Sequence, residues 1–274
     1  MTEAVKHSNS NVWQELKKKY DVDQKELVLG PQHHLSIHQI KDINALVDTW
    51  GPEDFGPDER LPYWATLWPV SIELCRHLIE HPSKVNSPAI ELGCGLGLVS
   101  IVIALMGHEI LATDYEEDAC SFAQQNAVAN NAKIRTQTWD WRSSATPGSS
   151  YKTLVGADVL YEPKQIEPVA IAIDRLLGPL GNALIADPNR PHWPEFKDKL
   201  REMGFHVETH RKIDCTILEA RRKDHVGEQF LGFPALGLHI TCDIHNTNDH
   251  LKRYTFVSHD HHLTLLLCPR LEFG

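Results

Sequence analysis

Three glycines, each two positions from the next, follow a short apolar segment that carries an acid. Glu91 lies within the apolar segment Ala89–Leu92, and Gly93, Gly95 and Gly97 come directly after it. Glycine allows the backbone to turn tightly and allows a ligand to lie against bare main chain, where any Cβ atom would intrude. The spacing therefore predicts a strand that ends in a ligand-binding turn.

A second apolar segment delivers another acid, Asp114, about 20 residues beyond this turn. In nucleotide-binding folds an acid at this distance binds a ribose hydroxyl. A dinucleotide site also requires a third glycine or an alanine, and the two candidate positions hold Leu98 and Ser100. We therefore expect an adenosine-type cofactor rather than a nicotinamide dinucleotide, the alternative being a tight turn without a ligand.

An aromatic segment, Leu61–Pro69, is the second candidate for chemistry. Tyr63, Trp64 and Trp68 lie within six positions of one another and are bracketed by prolines. Such rings could cover a cationic ligand and exclude water, because the face of an aromatic ring attracts a cation. They could equally be core residues that join the N-terminal region to the sheet.

Alternating strand and helix patterns position these residues. The predicted strands are Ala89–Leu92, Glu109–Thr113, Lys133–Thr138, Thr153–Ala157, Ala183–Ala186, His206–His210 and Thr216–Ala220, with helices at Gly97–Met106, Glu116–Asn130, Gln165–Leu177 and Trp193–Met203. The last two strands are too close together for a crossover helix, so we expect them to be antiparallel. An α/β fold with a mostly parallel sheet follows.

We expect three regions: an N-terminal extension and cap over 1–85, the core over 86–222, and an irregular tail over 223–274. The tail holds Asp243, His245, His250 and His259–His262. Clustered His and Asp could bind a transition metal, but this spacing matches no metal motif, and a solvated extension is the favoured interpretation. We predict no metal site.

Composition restricts the possible partners and compartment. The formal net charge of −10 argues against nucleic acid, because phosphate binding normally needs a basic face. No apolar run reaches the ~20 residues that a membrane helix needs, and the start of the chain lacks a secretory pattern. The six cysteines include no C-x-x-C pair. These features favour the cytoplasm and no contact with a membrane.

Several motifs resemble those of one enzyme family. The Glu-x-Gly-x-Gly-x-Gly sequence at 91–97 resembles the first motif of class I S-adenosylmethionine-dependent methyltransferases. Asp158–Tyr161 resembles the D-x-x-Y/F signature of the methyltransferase-like group of seven-strand lysine methyltransferases, and Trp68 with the proline after it resembles that group's Trp-Pro. The likeness covers Leu61 to Ala220 and implies a Rossmann-like fold with an antiparallel terminal hairpin.

Within that group, two segments resemble the branch that methylates lysine in the electron transfer flavoprotein β subunit. They are Leu61–Ala65 and Asp187–Pro191. One departure is that Val70 and Ser71 stand where the branch favours glycine after Trp-Pro, and the histidine-rich tail is also foreign to it.

The resemblance implies a role for each site residue, with S-adenosylmethionine as cofactor. Glu91, Gly93 and Gly95 would surround its methionine part, Asp114 its ribose, and Asp140 and Trp141 its adenine, with Trp68 covering it and Asp158 beside the methyl group. Asp158 and Tyr161 would act in catalysis, by attracting and orienting a lysine amine. A helix cap at Asp158 and core packing at Tyr161 are the alternatives. Asp187 and Arg190 could bind an acidic patch of a partner or form an internal ion pair.

The leading interpretation is a methyltransferase that acts on lysine side chains of a protein substrate. A small-molecule N- or O-methyltransferase, with an amine as substrate, is the first alternative, since fold does not fix substrate. A non-catalytic interaction module on the same fold is the second.

Overall fold

The structure is a computed structural model that describes residues 3–31, 33–51, 61–223, 239–241, 252–257 and 262–267. The loop that we expect from the Pro, Gly and acidic residues between Trp50 and Pro62 lies mostly outside these residues, as do the tail positions Asp243, His245, His250 and His259–His261. The chain divides into two compact units, Met1–Arg221 and Arg222–Gly274. Among the described residues, no helix is both long enough and apolar enough to cross a membrane.

A seven-stranded sheet is the centre of the first unit. Its strands are β3 (Ala89–Leu92), β4 (Ile110–Asp114), β5 (Arg135–Thr138), β6 (Tyr151–Ala157), β7 (Leu177–Asp187), β8 (Phe205–Arg211) and β9 (Thr216–Arg222). The spatial order is β5-β4-β3-β6-β7-β9-β8. The pairs from β5 to β7 are parallel, and β9 is antiparallel to β7. The predicted α/β class with a mostly parallel seven-strand sheet is confirmed.

Five helices cover this sheet: α3 (Pro69–Glu80), α4 (Leu98–Leu105), α5 (Glu117–Ala129), α6 (Ile166–Leu176) and α7 (Trp193–Glu202). In α5, Ala119, Phe122, Ala123 and Ala127 lie at helical spacing and form a buried apolar stripe. In α4 the first six residues are all buried, because this helix is apolar on every side and packs against α3, α5 and the sheet. The turn that contains Gly93, Gly95 and Gly97 (the glycine turn) precedes α4, so the burial of α4 fixes that turn in place.

The N-terminal region forms a helix and a hairpin that pack on α5. It contains α1 (Glu3–Lys19), the antiparallel strands β1 (Val22–Gly30) and β2 (His33–Ile40), and the short helix α2 (Ile43–Val47). Trp13 of α1 makes an edge contact with Phe122 of α5, with ring centroids 5.5 Å apart. Trp13, with the buried Leu16, thereby attaches α1 to the core.

Asn126 of α5 joins the hairpin to the glycine turn. Its Oδ1 accepts a hydrogen bond from the His38 backbone N–H at 2.8 Å, and its Nδ2 donates to the His38 and Leu96 carbonyls, each at 3.0 Å. Asn130, one helical turn later, forms the same kind of pair with Ser36. The buried amide of Asn126 is therefore satisfied by two segments that are distant in sequence.

Two predictions about strands were wrong. Strand β7 begins at Leu177 rather than Ala183, because Leu177 pairs with Tyr151 and residues 178–181 form a bulge before pairing resumes at Asn182. A bulge accommodates the proline at 179, which has no N–H for the ladder. The tail was predicted to be irregular, yet it contains the antiparallel strands β10 (His239–Thr241), β11 (Lys252–Val257) and β12 (His262–Leu267). Their β-branched, aromatic and leucine residues favour strands.

Candidate active site

A cleft of about 250 Å³ lies at the carboxyl ends of strands β3, β4 and β6. In open parallel sheets, ligands bind at this edge. Eight of the predicted site residues line the cleft: Trp68, Glu91, Gly93, Gly95, Asp114, Trp141, Asp158 and Tyr161. The exception is Asp140, which lines a neighbouring cleft of about 60 Å³.

The glycine turn is tightest at Gly97, which has a φ of 82°. A Cβ atom at Gly97 would lie only 2.7 Å from the Cβ of Ala123 in α5. Gly95 faces the other side, where an added Cβ would meet the Trp64 carbonyl oxygen at 3.2 Å. Gly97 therefore permits close packing of the turn against α5, and Gly95 permits packing against the aromatic segment.

Glu91 is a buried acid at the floor of the cleft. Its Oε2 accepts hydrogen bonds from the backbone N–H of Ser100, at 3.0 Å, and from the Ser100 hydroxyl. Burial raises the pKa of Glu91 to about 8, and the negative charge of Asp114 adds to the effect. A carboxyl group in this state favours a cationic neighbour, because a positive charge would stabilise its ionised form.

Asp114 is the second buried acid and ends β4, as predicted. Its two oxygens accept hydrogen bonds from the backbone N–H groups of Gly95 and Glu116, each at 3.0 Å. Burial raises the pKa of Asp114 to about 6 despite these bonds. The carboxylate is thus fixed in orientation at the edge of the glycine turn.

Aromatic rings form the opposite wall. Tyr63 begins a single 3₁₀ turn, Tyr63–Ala65, and its ring lies 6.1 Å from the Trp68 ring and 5.6 Å from the Tyr161 ring. The Trp68 Nε1–H donates to the Tyr63 carbonyl at 2.7 Å. Tyr63 and Trp68 are 42% and 37% exposed, so both lie at the rim. Trp64 points towards α5, where it packs against Phe122.

Trp141 and Asp140 follow β5 and make different contacts. The buried Trp141 ring is next to the Gly93 backbone, and its Nε1–H donates to Gln165 Oε1 at 3.0 Å. Asp140 forms an ion pair with Arg142, with Oδ2 and Nη2 2.6 Å apart. Gln165 also donates to the Tyr161 hydroxyl at 3.4 Å, so it links two cleft residues. Gln165 was not predicted from the sequence, where its one signal is its position four residues after Tyr161.

Asp158 lies in an ion-pair network that sequence analysis did not predict. Its backbone has a φ of 62° and donates an N–H to the Ala186 carbonyl at 2.9 Å. Arg190 Nη1 contacts Asp158 Oδ1 and lies 3.2 Å from Asp187 Oδ2. Of the two roles left open for Asp187 and Arg190, the structure has the internal ion pair. Asp158 and Asp187 meet at one edge of the sheet because β6 and β7 are neighbouring parallel strands.

A family model described as lysine methyltransferase matches residues 64–199. Mouse EEF1A lysine methyltransferase 3 is 28% identical over 63% of this chain and 77% of its own length. Protein N-lysine methyltransferase METTL21A of Xenopus tropicalis is 34% identical over 38% of this chain, and the match spans half of that relative.

Among solved structures, the Thermus thermophilus 16S rRNA methyltransferase RsmC, in complex with AdoMet and guanosine, aligns with a TM-score of 0.53 at 15% identity. The alignment covers 73% of this chain and 50% of that one, and it shows a common fold. The family match includes the glycine turn, both buried acids and the Asp158–Arg190 pair. The chain belongs to the lysine methyltransferase family, whose cofactor is S-adenosylmethionine.

Proposed function

We propose that this protein transfers a methyl group from S-adenosylmethionine to a lysine side chain of a protein substrate. The observation that carries the proposal is the position of Asp158 and Tyr161, which lie between the glycine turn and the exposed aromatic rim in one cleft. An acceptor amine that enters over Tyr63 would therefore meet a carboxylate before it reaches the cofactor.

The cleft residues fit this cofactor, which carries an ammonium group and a sulfonium. Glu91 has its pKa raised by burial and gains from a nearby cation, so we assign it to the methionine ammonium group. Asp114, oriented by two backbone N–H groups, is assigned to the ribose hydroxyls. Trp141, with Asp140 at the neighbouring cleft, is assigned to the adenine, and Trp68 to the cover.

The bound cofactor would supply an electrophilic methyl group for in-line displacement by a neutral amine. The C–N bond would form as the C–S bond breaks and the thioether leaves, with the amine's proton passing to solvent. A lysine amine has an unperturbed pKa of about 10.4 and must lose a proton before it attacks. The rings of Tyr63, Trp68 and Tyr161 favour the neutral amine, because they replace its water. Their contribution is alignment and exclusion of water, which can supply much of the rate acceleration in such a transfer.

Asp158 is assigned to attract and orient the amine. Arg190 contacts its Oδ1, so we assign the other oxygen, Oδ2, to accept a hydrogen bond from the incoming nitrogen. Asp158 and Asp187 share the guanidinium of Arg190. Two carboxylates and one guanidinium have a net negative charge, which attracts a lysine ammonium. Arg190 is then a positioning residue rather than a catalytic one.

We propose a protein substrate because the exposed rim formed by Tyr63 and Trp68 leaves room for a side chain presented on a larger surface. The named relatives act on proteins, and one is named for EEF1A. The cytoplasm is the proposed compartment. Four buried cysteines without disulfide partners, Cys75, Cys94, Cys120 and Cys215, are consistent with a reducing environment.

The test uses radiolabelled S-adenosylmethionine with a gel-resolved cell extract and, separately, its small-molecule fraction. Wild type is compared with Asp158→Asn, and with Asp198→Asn as a matched control for a surface aspartate paired with an arginine. We expect a labelled protein band that is lost in Asp158→Asn and retained in the control, with methyl-lysine found by mass spectrometry. Label confined to small molecules would instead assign a metabolite amine as substrate. Cofactor binding without any label would indicate a binding module.

A further inference from the structure

A cluster of histidines lies at the far end of α3 from the cleft. His77 and His81 are four residues apart, with ring centroids 4.5 Å apart, and Glu80 lies between them in sequence. One ligand atom from each of these three residues lies within 4.8 Å of the other two. His77 is nine residues beyond Trp68, or about 14 Å along the helix at ~1.5 Å per residue. The cluster is therefore separate from the proposed cofactor site.

His77 is the unexplained member of the cluster. Its side chain is 1% exposed, and neither Nδ1 nor Nε2 has a hydrogen-bond partner among the described residues. An imidazole always carries at least one N–H donor when neutral, and leaving a buried polar group without a hydrogen-bond partner is unfavourable. A neutral buried imidazole is the form that binds a metal ion.

The neighbouring residues include another histidine and a cation that competes for Glu80. The His210 ring, from β8, lies 5.1 Å from the His77 ring, and its Nε2 is 3.3 Å from Glu219 Oε2. Glu80 is paired with Lys212, whose Nζ lies 3.0 Å from Oε2. The Glu80 side chain is exposed, so its pair with Lys212 contributes little and its carboxylate is available to a stronger cation.

We propose that His77, Glu80 and His81 bind a divalent transition-metal ion, with Zn²⁺ preferred over Mg²⁺ or Ca²⁺. Imidazole ligands select zinc and its neighbours, whereas the alkaline-earth ions prefer oxygen ligands. His77 lies in the last turn of α3 and His81 directly follows the helix, so the His-x-x-Glu-His spacing brings the two imidazole rings together. Zn–N distances are about 2.0–2.1 Å, so small side-chain rotations would bring these ligand atoms onto one ion. The ion would satisfy His77 and displace Lys212 from Glu80.

The test is Zn²⁺ binding to the chelator-treated full-length protein, measured by titration calorimetry and, with Co²⁺, by visible absorption. His81→Gln is the principal variant, because His81 is exposed and its loss does not disturb the core. His206→Gln is the matched control, since His206 is an exposed histidine beside Glu208. Lys212→Met removes the competing cation. Histidines of the tail are present in every variant, so the differences report this site.

We expect His81→Gln to weaken one Zn²⁺ site about 10-fold or more, with no change in His206→Gln. Lys212→Met should strengthen the site roughly threefold or more. Zn²⁺ should raise the melting temperature of wild type more than that of His81→Gln, because binding to the native state stabilises it. Equal affinities in wild type, His81→Gln and His206→Gln would overturn the proposal, as would the absence of Zn²⁺ binding.

Discussion

Arg190 Nη1 contacts Asp158 Oδ1 between the ends of two adjacent parallel strands, and the same guanidinium reaches Asp187. Asp158 is 10% exposed at its side chain, so this contact is shielded from bulk water. The carboxylate that faces the proposed acceptor is thus held by a residue 32 positions later in the chain. Its orientation depends on the turn after β7 as much as on its own strand.

Replacing Arg190 with methionine should lower kcat about 10- to 100-fold, because Asp158 loses the group that orients it and small misplacements of reacting groups are costly. The KM for the cofactor should change less than about twofold, since Arg190 is assigned no cofactor contact. Arg201→Met, which removes another aspartate-paired arginine, is the control. Steady-state kinetics separate the two constants. A large rise in the cofactor KM with unchanged kcat would contradict the positioning role.

The backbone conformation of Asp158 should lower the stability of the folded protein. Its φ of 62° is in the left-handed region, where a residue with a Cβ is disfavoured by about 1–2 kcal/mol, aspartate and asparagine less so. We expect Asp158→Gly to be inactive yet at least as stable as wild type, and Asp158→Ala to be inactive and about 1 kcal/mol less stable than the glycine variant. Urea unfolding measures both. A glycine variant that is less stable than the alanine variant would show that the backbone at 158 is not strained.

Glu91 should make stability fall as pH rises. Its folded pKa of about 8 exceeds the ordinary value of 4.5, so between these pH values the folded state retains a proton that the unfolded state has lost. The unfolding free energy should therefore decrease by up to about 1.4 kcal/mol per pH unit in this window, and the full penalty is present above pH 8. Glu91→Gln should remove that slope, as measured by urea unfolding at several pH values.

Glu91→Gln should also weaken the binding of the cofactor. Wild-type affinity should rise between pH 6 and about 8, because the ammonium group favours ionised Glu91, whereas Glu91→Gln should bind more weakly and without this rise. Glu109→Gln, at an exposed acid before β4, is the control. Calorimetric titration across the pH range is the measurement. An identical pH profile in wild type and Glu91→Gln would contradict the assignment.

Gly97 and Gly107 form a matched pair for the packing of the glycine turn. Their φ values are 82° and 89°, but an added Cβ meets Ala123 at 2.7 Å at Gly97 and nothing within 4 Å at Gly107. Gly107→Ala should cost about 1 kcal/mol for backbone strain alone. Gly97→Ala should cost about 1–3 kcal/mol more, because the turn must move away from α5. Denaturant unfolding measures the stability of both variants. Equal losses of stability would show that the close approach to Ala123 does not restrict the residue at 97.

Local patterns predicted most of the sheet and the acids at its carboxyl edge. Glu91 and Asp114 could be predicted because each lies in, or at the end of, a short apolar strand beside glycines. The contact between Asp158 and Arg190 was not predicted, since it requires knowing that β6 and β7 are neighbours. Gln165 carries no motif, and its role depends on two side chains brought together by folding. The bulge in β7 was missed because Gly178, Pro179 and Gly181 favour a loop when read alone.

The carboxamide of Asn126 makes the order of the glycine turn dependent on the hairpin. One side chain is bonded to the Leu96 carbonyl and to both backbone groups of His38. When the hairpin opens locally, Asn126 loses two of these bonds and its hold on the turn weakens. A ligand that orders the turn must then suppress hairpin opening to the same extent, because coupling between two sites is reciprocal. The N-terminal strands are in this sense an extension of the cofactor site, although none of their residues lines the cleft.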